Sequence, residues 1–186
     1  MKKQILLPVS LIAAAGMGIF ALTRTTPVAK SPPTSTKEPI PAELAAPGRC
    51  GYTWAYQDLP EISAEFQAEV RTAIPEAEAH ATSFGENCVY EDGSAAFSAM
   101  QTDFYVILPV GDLTANVALA GFIEQILPIV DGYAPPRVPG PNDGFVEFTF
   151  RKGEEQLILR VPIPLGRQIR EQGLHGVELI KALEIQ

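Results

Sequence analysis

Apolar side chains recur along this chain with two alternating periods. Ile62, Phe66, Val70, Ala73 and Ile74 return every three to four positions, the spacing of one helix face. Asp58-Leu59-Pro60-Glu61 precedes them with the spacing of a capping box. The Asp58 carboxylate would accept the Glu61 amide, Pro60 sits where no donor is needed, and Glu61 opposes the helix dipole. The pattern predicts an amphipathic helix to about Ile74, stopped by Pro75.

In EAEAHATSFGENCVY the period falls to two. Glu78, His80 and Thr82 alternate with Ala77, Ala79, Ala81 and Ser83, as on a strand with two unlike faces. A turn at Glu91 to Ser94 leads into AAFSAMQTDFYVILPV. There Met100, Thr102, Phe104, Val106 and Leu108 share one face, and Gln101, Asp103, Tyr105 and Ile107 the other. Two such runs joined by a turn predict a hairpin.

The order then repeats. Asp112 stands as a cap before LTANVALAGFIEQILPIV, a helix to about Leu127 or Val130. A proline-rich loop, DGYAPPRVPGPND, and two more alternating runs, GFVEFTFRK and EQLILRVPI, follow. The closing LGRQIREQGLHGVELIKALE reads as one or two short helices broken by Gly173 and Gly176.

The expected fold is therefore α+β: two αββ units forming a four-stranded, mainly antiparallel sheet with helices packed on one face, plus a short C-terminal helical segment. The second helix is more apolar than one sheet contact requires, since Leu113, Val117 and Leu127 lie on one side and Leu119, Phe122 and Ile126 on another. Its second apolar side calls for cover by the C-terminal segment in a monomer, or by another copy in a homodimer.

The N-terminal region departs from both periods. Eighteen uncharged, mostly apolar residues from Ile5 to Leu22 lie between Lys2-Lys3 and Arg24. This run fits a secretory signal or a short membrane-spanning helix, because about 20 residues cross a bilayer core. No clean small-x-small cleavage site follows it, which favours an uncleaved single-pass anchor with its N-terminus inside over a secreted form. Six of the 21 residues from Pro27 to Pro47 are proline, mixed with Ser and Thr, the composition of an extended stalk. Residues 1–26 thus read as signal or anchor, 27–48 as stalk and 49–186 as one extracytoplasmic domain.

Charge sharpens that division. Up to residue 48 there are five basic and two acidic side chains; beyond it nine basic face twenty acidic, a net −11 against +3. A body this acidic repels phosphate backbones, so nucleic acid is not an expected partner.

The two cysteines, Cys50 and Cys88, form an even pair in a chain read as exported, and a disulfide is expected between them. A nucleophilic Cys88 is disfavoured because Glu86, Glu91 and Asp92 oppose a thiolate. Those carboxylates do not follow the ligand spacing of an EF-hand and read as an acidic hairpin tip.

Catalytic signatures are sparse. There is no G-x-S-x-G elbow, no GxxxxGK[ST] loop and no G-x-G-x-x-G after a strand. His80 would need Asp103 or Glu147 from neighbouring strands to hold zinc, and Asp103 with Glu147 is the one mid-strand carboxylate pair that glycoside hydrolysis could use. No metal, cofactor or catalytic residue is assigned.

Strand parity instead groups His80, Asp103, Tyr105, Glu147, Arg151 and Arg160 on the sheet face turned away from the helices. Mixed charge beside a tyrosine suits recognition of a protein or small ligand. The expectation is non-catalytic binding or envelope assembly. Extracellular hydrolysis by the mid-strand carboxylates and self-association as a structural subunit are the alternatives.

Overall fold

The computed structural model describes residues 49–184. The anchor and stalk readings for 1–26 and 27–48 lie outside them, and among the described residues no helix is long and apolar enough to cross a membrane. The element order is β1 (Gly51–Asp58), α1 (Pro60–Ala73), β2 (Glu78–Val89), β3 (Ala95–Pro109), α2 (Asn116–Asp131), β4 (Asn142–Lys152), β5 (Glu155–Pro162), α3 (Ile163–Glu171) and α4 (Gly176–Glu184). The strands form one sheet in chain order. All neighbours are antiparallel except β3 and β4, which run parallel.

The fold is α+β, and it corrects the expected four-stranded sheet twice. A fifth strand, β1, precedes the first αββ succession. Its Tyr52, Trp54 and Tyr56 alternate with Thr53, Ala55 and Gln57, a β-prone, period-two run. The sheet is also mixed, because α2 returns the chain to the end where β3 began, as parallel neighbours require.

Both expected caps shift as well. Asp58 is the last residue of β1, opposite Thr82, and α1 begins after Leu59 without a side-chain cap, with Pro60 in its first turn. Asp112 instead closes a turn: its Oδ1 accepts Thr114 N at 2.9 Å and Thr114 Oγ1 at 2.8 Å. Helix α2 then starts four residues further on, at Asn116.

One face of the sheet carries the core. Ala79 and Ala81 of β2, Phe104, Val106 and Leu108 of β3, Val146, Phe148 and Phe150 of β4, and Val161 of β5 are all buried. Phe66 of α1 meets Phe104 edge-on at 4.9 Å, and Phe122 of α2 lies 6.4 Å from Phe150. Phe66, Phe104 and Phe150 are fully buried, and each contributes about 1.5–3 kcal/mol through burial. The other apolar side of α2 packs on α4, which buries Leu179 and Ile180.

The proline-rich loop is tied down at two points. Arg137 lies 4.0 Å over the Tyr133 ring and 3.0 Å from Glu65 of α1. Thr102 of β3 donates to the Pro139 carbonyl at 2.8 Å. Cys50, just before β1, is disulfide-bonded to Cys88 of β2 with 5.2 Å between their Cα atoms.

Candidate binding face

Among the described residues the opposite face of the sheet has no helix on it, and the strand register says which side chains it shows. Trp54 stands opposite Glu86 and Tyr56 opposite Phe84. His80 faces Tyr105 and Thr82 faces Asp103, Tyr105 faces Glu147, and Glu147 faces Arg160. Side chains directly opposite on paired strands point to the same side, so all of these share one surface.

Aromatic contacts run across it. Phe84 stacks with Trp54 at 5.4 Å and packs against Tyr56 at 5.1 Å. His80 stacks on Tyr105 at 4.8 Å, Tyr105 meets Phe145 edge-on at 5.8 Å, and the Arg160 guanidinium lies 4.3 Å over the Phe145 ring.

Asp103 occupies the centre, and it is not a solvated strand acid. The β3–β4 register slips between Thr102 and Phe104, so that Gly144 and Phe145 of β4 both oppose Asp103, a bulge with one extra residue on β4. Glycine is required at 144: a Cβ there would overlap the Thr102 carbonyl and the Asp103 carboxylate. The close approach lets Asp103 Oδ1 accept the Phe145 amide at 3.3 Å and Gln101 Nε2 at 2.7 Å. Asp103 thereby satisfies a backbone donor that the bulge removes from the ladder.

Only 1% of Asp103 is exposed, and its Oδ2 has no hydrogen-bond partner among the described residues. Burial raises its pKa above the ordinary carboxylate value, against the opposing pull of Gln101, Phe145 and Arg160. Burial also raises the Tyr105 phenol. Arg160 is held charged by the Glu147 carboxylate, 2.5 Å away.

Of the residues the sequence grouped, His80, Asp103, Tyr105, Glu147 and Arg160 come together. Arg151 does not. It lies four residues beyond Glu147 along β4, opposite Gln156, about 13 Å away at the rise of a strand. Missing from that group were Tyr52, Trp54, Tyr56, Phe84 and Phe145. The alternation in Y-T-W-A-Y was the available signal for the first three. Phe145 shares the parity of Glu147 and Thr149 along β4, which was the signal for it.

A second concavity, about 480 Å³, lies where α2, α3 and α4 converge, lined in part by Glu124, Asp131, Arg167 and His175. Its charges hold one another. Arg167 binds Asp131 at 3.2 Å and Asp143 at 2.9 Å, Arg170 also binds Asp131, and Glu124 accepts the Gly176 amide at 2.9 Å. This network fastens α3 and α4 to α2 and leaves little unpaired polarity for a ligand.

Fold and surface together define a disulfide-braced α+β domain with helices on one side of a mixed five-stranded sheet and an aromatic face on the other. Comparison with protein-family models, with curated proteins and with solved structures finds no match to this chain.

Proposed function

We propose that this is an extracytoplasmic, membrane-tethered binding domain that recognises a ligand or partner on its helix-free sheet face without transforming it. The observation that carries the reading is the exposure of Tyr52, Trp54 and Tyr56, at 67%, 69% and 65%, in a row on that face. Large aromatics left open beside packed neighbours are the usual anchors of recognition surfaces.

The carboxylates fit binding better than hydrolysis. Asp103 is shut away from solvent and occupied by the bulge, and Glu147 is engaged by Arg160, so neither is free to act as acid or nucleophile. The export reading rests on the apolar run from Ile5 to Leu22 together with the Cys50–Cys88 disulfide, a bond kept in oxidising compartments.

The chain's only tryptophan, Trp54, lies on this face, which gives the test an internal reporter. Full-length protein taken from its own envelope is examined by native mass spectrometry for a co-purifying species, which is then titrated back while Trp54 emission is followed. Tyr105→Ala and Arg160→Ala should each weaken its binding about tenfold or more. Unchanged affinity in both variants with no emission change would sink the reading.

A further inference from the structure

Among the described residues, strand β1 is bare in three directions. It is an edge strand there, paired only with β2. Both of its faces are open, since all its residues are exposed except half-buried Ala55. The usual protections of an edge are absent: no proline, no lysine and no bulge interrupts its eight-residue pairing with β2, and its one charge, Asp58, comes at the end. The other edge is guarded. Strand β5 carries Glu155 and Arg160, ends in Pro162 and is flanked by α3.

The β1 sequence is also nearly symmetric about Trp54. Reading outward, Thr53 matches Ala55 in size and Tyr52 matches Tyr56. An antiparallel pair of β1 strands with its two-fold axis at Trp54 would set Trp54 against Trp54 and Tyr52 against Tyr56 on both sides. All six rings would lie on one face, and small residues would oppose small residues on the other. Such a two-fold contact must be self-complementary, and cross-strand aromatic pairs are among the favourable ones. No charge lies between Gly51 and Gln57 to oppose its copy, although the bodies are both acidic.

We propose that β1 pairs with β1 of a second copy of this chain, in the antiparallel register centred on Trp54, joining two five-stranded sheets into one of ten. The pairing engages the same exposed β1 aromatics that carry the ligand reading, but it does so through the backbone edge and leaves the Asp103–Arg160 region free. Its size sets its strength. Even if all the exposed two-thirds of three aromatic side chains were covered, at most on the order of 400 Å² per copy would be buried, below the ~800 Å² per partner of a standard interface. The dimer is therefore a weak one, with a Kd weaker than about 1 µM.

The test uses the full-length chain in detergent, with its disulfide intact, in sedimentation equilibrium over a wide concentration range. Wild type should pass from monomer to dimer. Trp54→Lys and Trp54→Glu each place like charges face to face at the axis and should stay monomeric. Mixing the two variants should restore a dimer. That rescue depends on residue 54 meeting residue 54, so neither pairing with a different strand nor contact through the N-terminal apolar run reproduces it. A wild type that stays monomeric up to ~1 mM overturns the proposal, as do single variants that dimerise like wild type and a mixture that fails to associate. Far-UV circular dichroism confirms that each variant is folded, which the exposure of Trp54 leads one to expect. Tyr105→Ala and Arg160→Ala leave the β1 edge untouched, so a dimer that persists in these variants while ligand binding falls separates this inference from the proposed function.

Discussion

Strand β1 and the β3–β4 pair are equally β-prone in sequence and lie in opposite environments. Over Phe104–Leu108 of β3 and Gly144–Phe150 of β4 every second residue is driven into the core, with Phe104, Val106 and Leu108 beside Val146, Phe148 and Phe150, and the residues between them are half-buried. In β1 no residue is buried. The difference lies in what covers each strand. Helix α1 follows β1 in the chain but packs on β2, while α2 lies over β4 and α3 over β4 and β5. Propensity and alternation therefore make the strand, and helix coverage makes the core. Stability should concentrate in the centre of the sheet and unused surface at its β1 edge.

The widest gap is expected between single truncations in the two regions. Phe148→Ala removes a fully buried ring and should cost about 3–5 kcal/mol in urea unfolding. Trp54→Ala, two-thirds exposed and contributing mainly its stack on Phe84, should cost less than about 1.5 kcal/mol at a concentration where the chain is monomeric. Equal costs would mean that β1 belongs to the core after all, and the contrast would be gone.

Next in size is the brace that keeps β1 in place. Replacing Cys50 and Cys88 together by serine releases a link across a separation of 38 residues. By the chain-entropy argument this costs about 3–4 kcal/mol. The contrast adds a prediction about where the loss appears. Hydrogen exchange should quicken first at the β1 amides, which depend on β2 alone, and last in β3 and β4. Uniform loss of protection would show that β1 and the centre open as one unit.

How far the sequence reveals this architecture depends on which kind of signal each element carries. The α1 stripe of Phe66 and Val70, the alternation in β2 and β3, and the β4–β5 hairpin are legible because a buried face imposes a period on the residues that fill it. β1 has no buried face. Its alternation is aromatic against small, without the apolar-against-polar contrast that marks a half-buried strand, and the capping spacing at Asp58 drew attention to the helix that follows. The parallel β3–β4 pairing was illegible for another reason: strand direction is settled by the path of α2 across the core, which no local pattern records. The candidate face was half legible. Parity alone grouped His80, Asp103, Tyr105, Glu147 and Arg160, but the bulge at Gly144–Phe145 that buries Asp103 depends on a register slip between strands more than 40 positions apart in the chain.

Asp103 marks the place where the open face reaches into the centre, and its titration gives the smallest and most local of these effects. Burial raises its pKa in the folded chain above the value near 3.8 that it has when exposed. A group with a raised folded pKa stabilises most when it is protonated, at pH values below its unfolded pKa. That stability is lost as the pH rises through the folded value, because the folded state must then hold an ionised carboxylate with Oδ2 unpartnered. Asp103→Asn keeps an oxygen for Gln101 Nε2 and the Phe145 amide but carries no charge to bury. The unfolding free energy of the variant relative to wild type should therefore shift in favour of asparagine as the pH is raised from 3 through the carboxylate range, and level off above it. A relative stability that moves the other way would mean that the two donors and Arg160 outweigh burial. The carboxylate would then be stabilised as an ion, and the centre of the open face would be a settled anion site in place of a strained one.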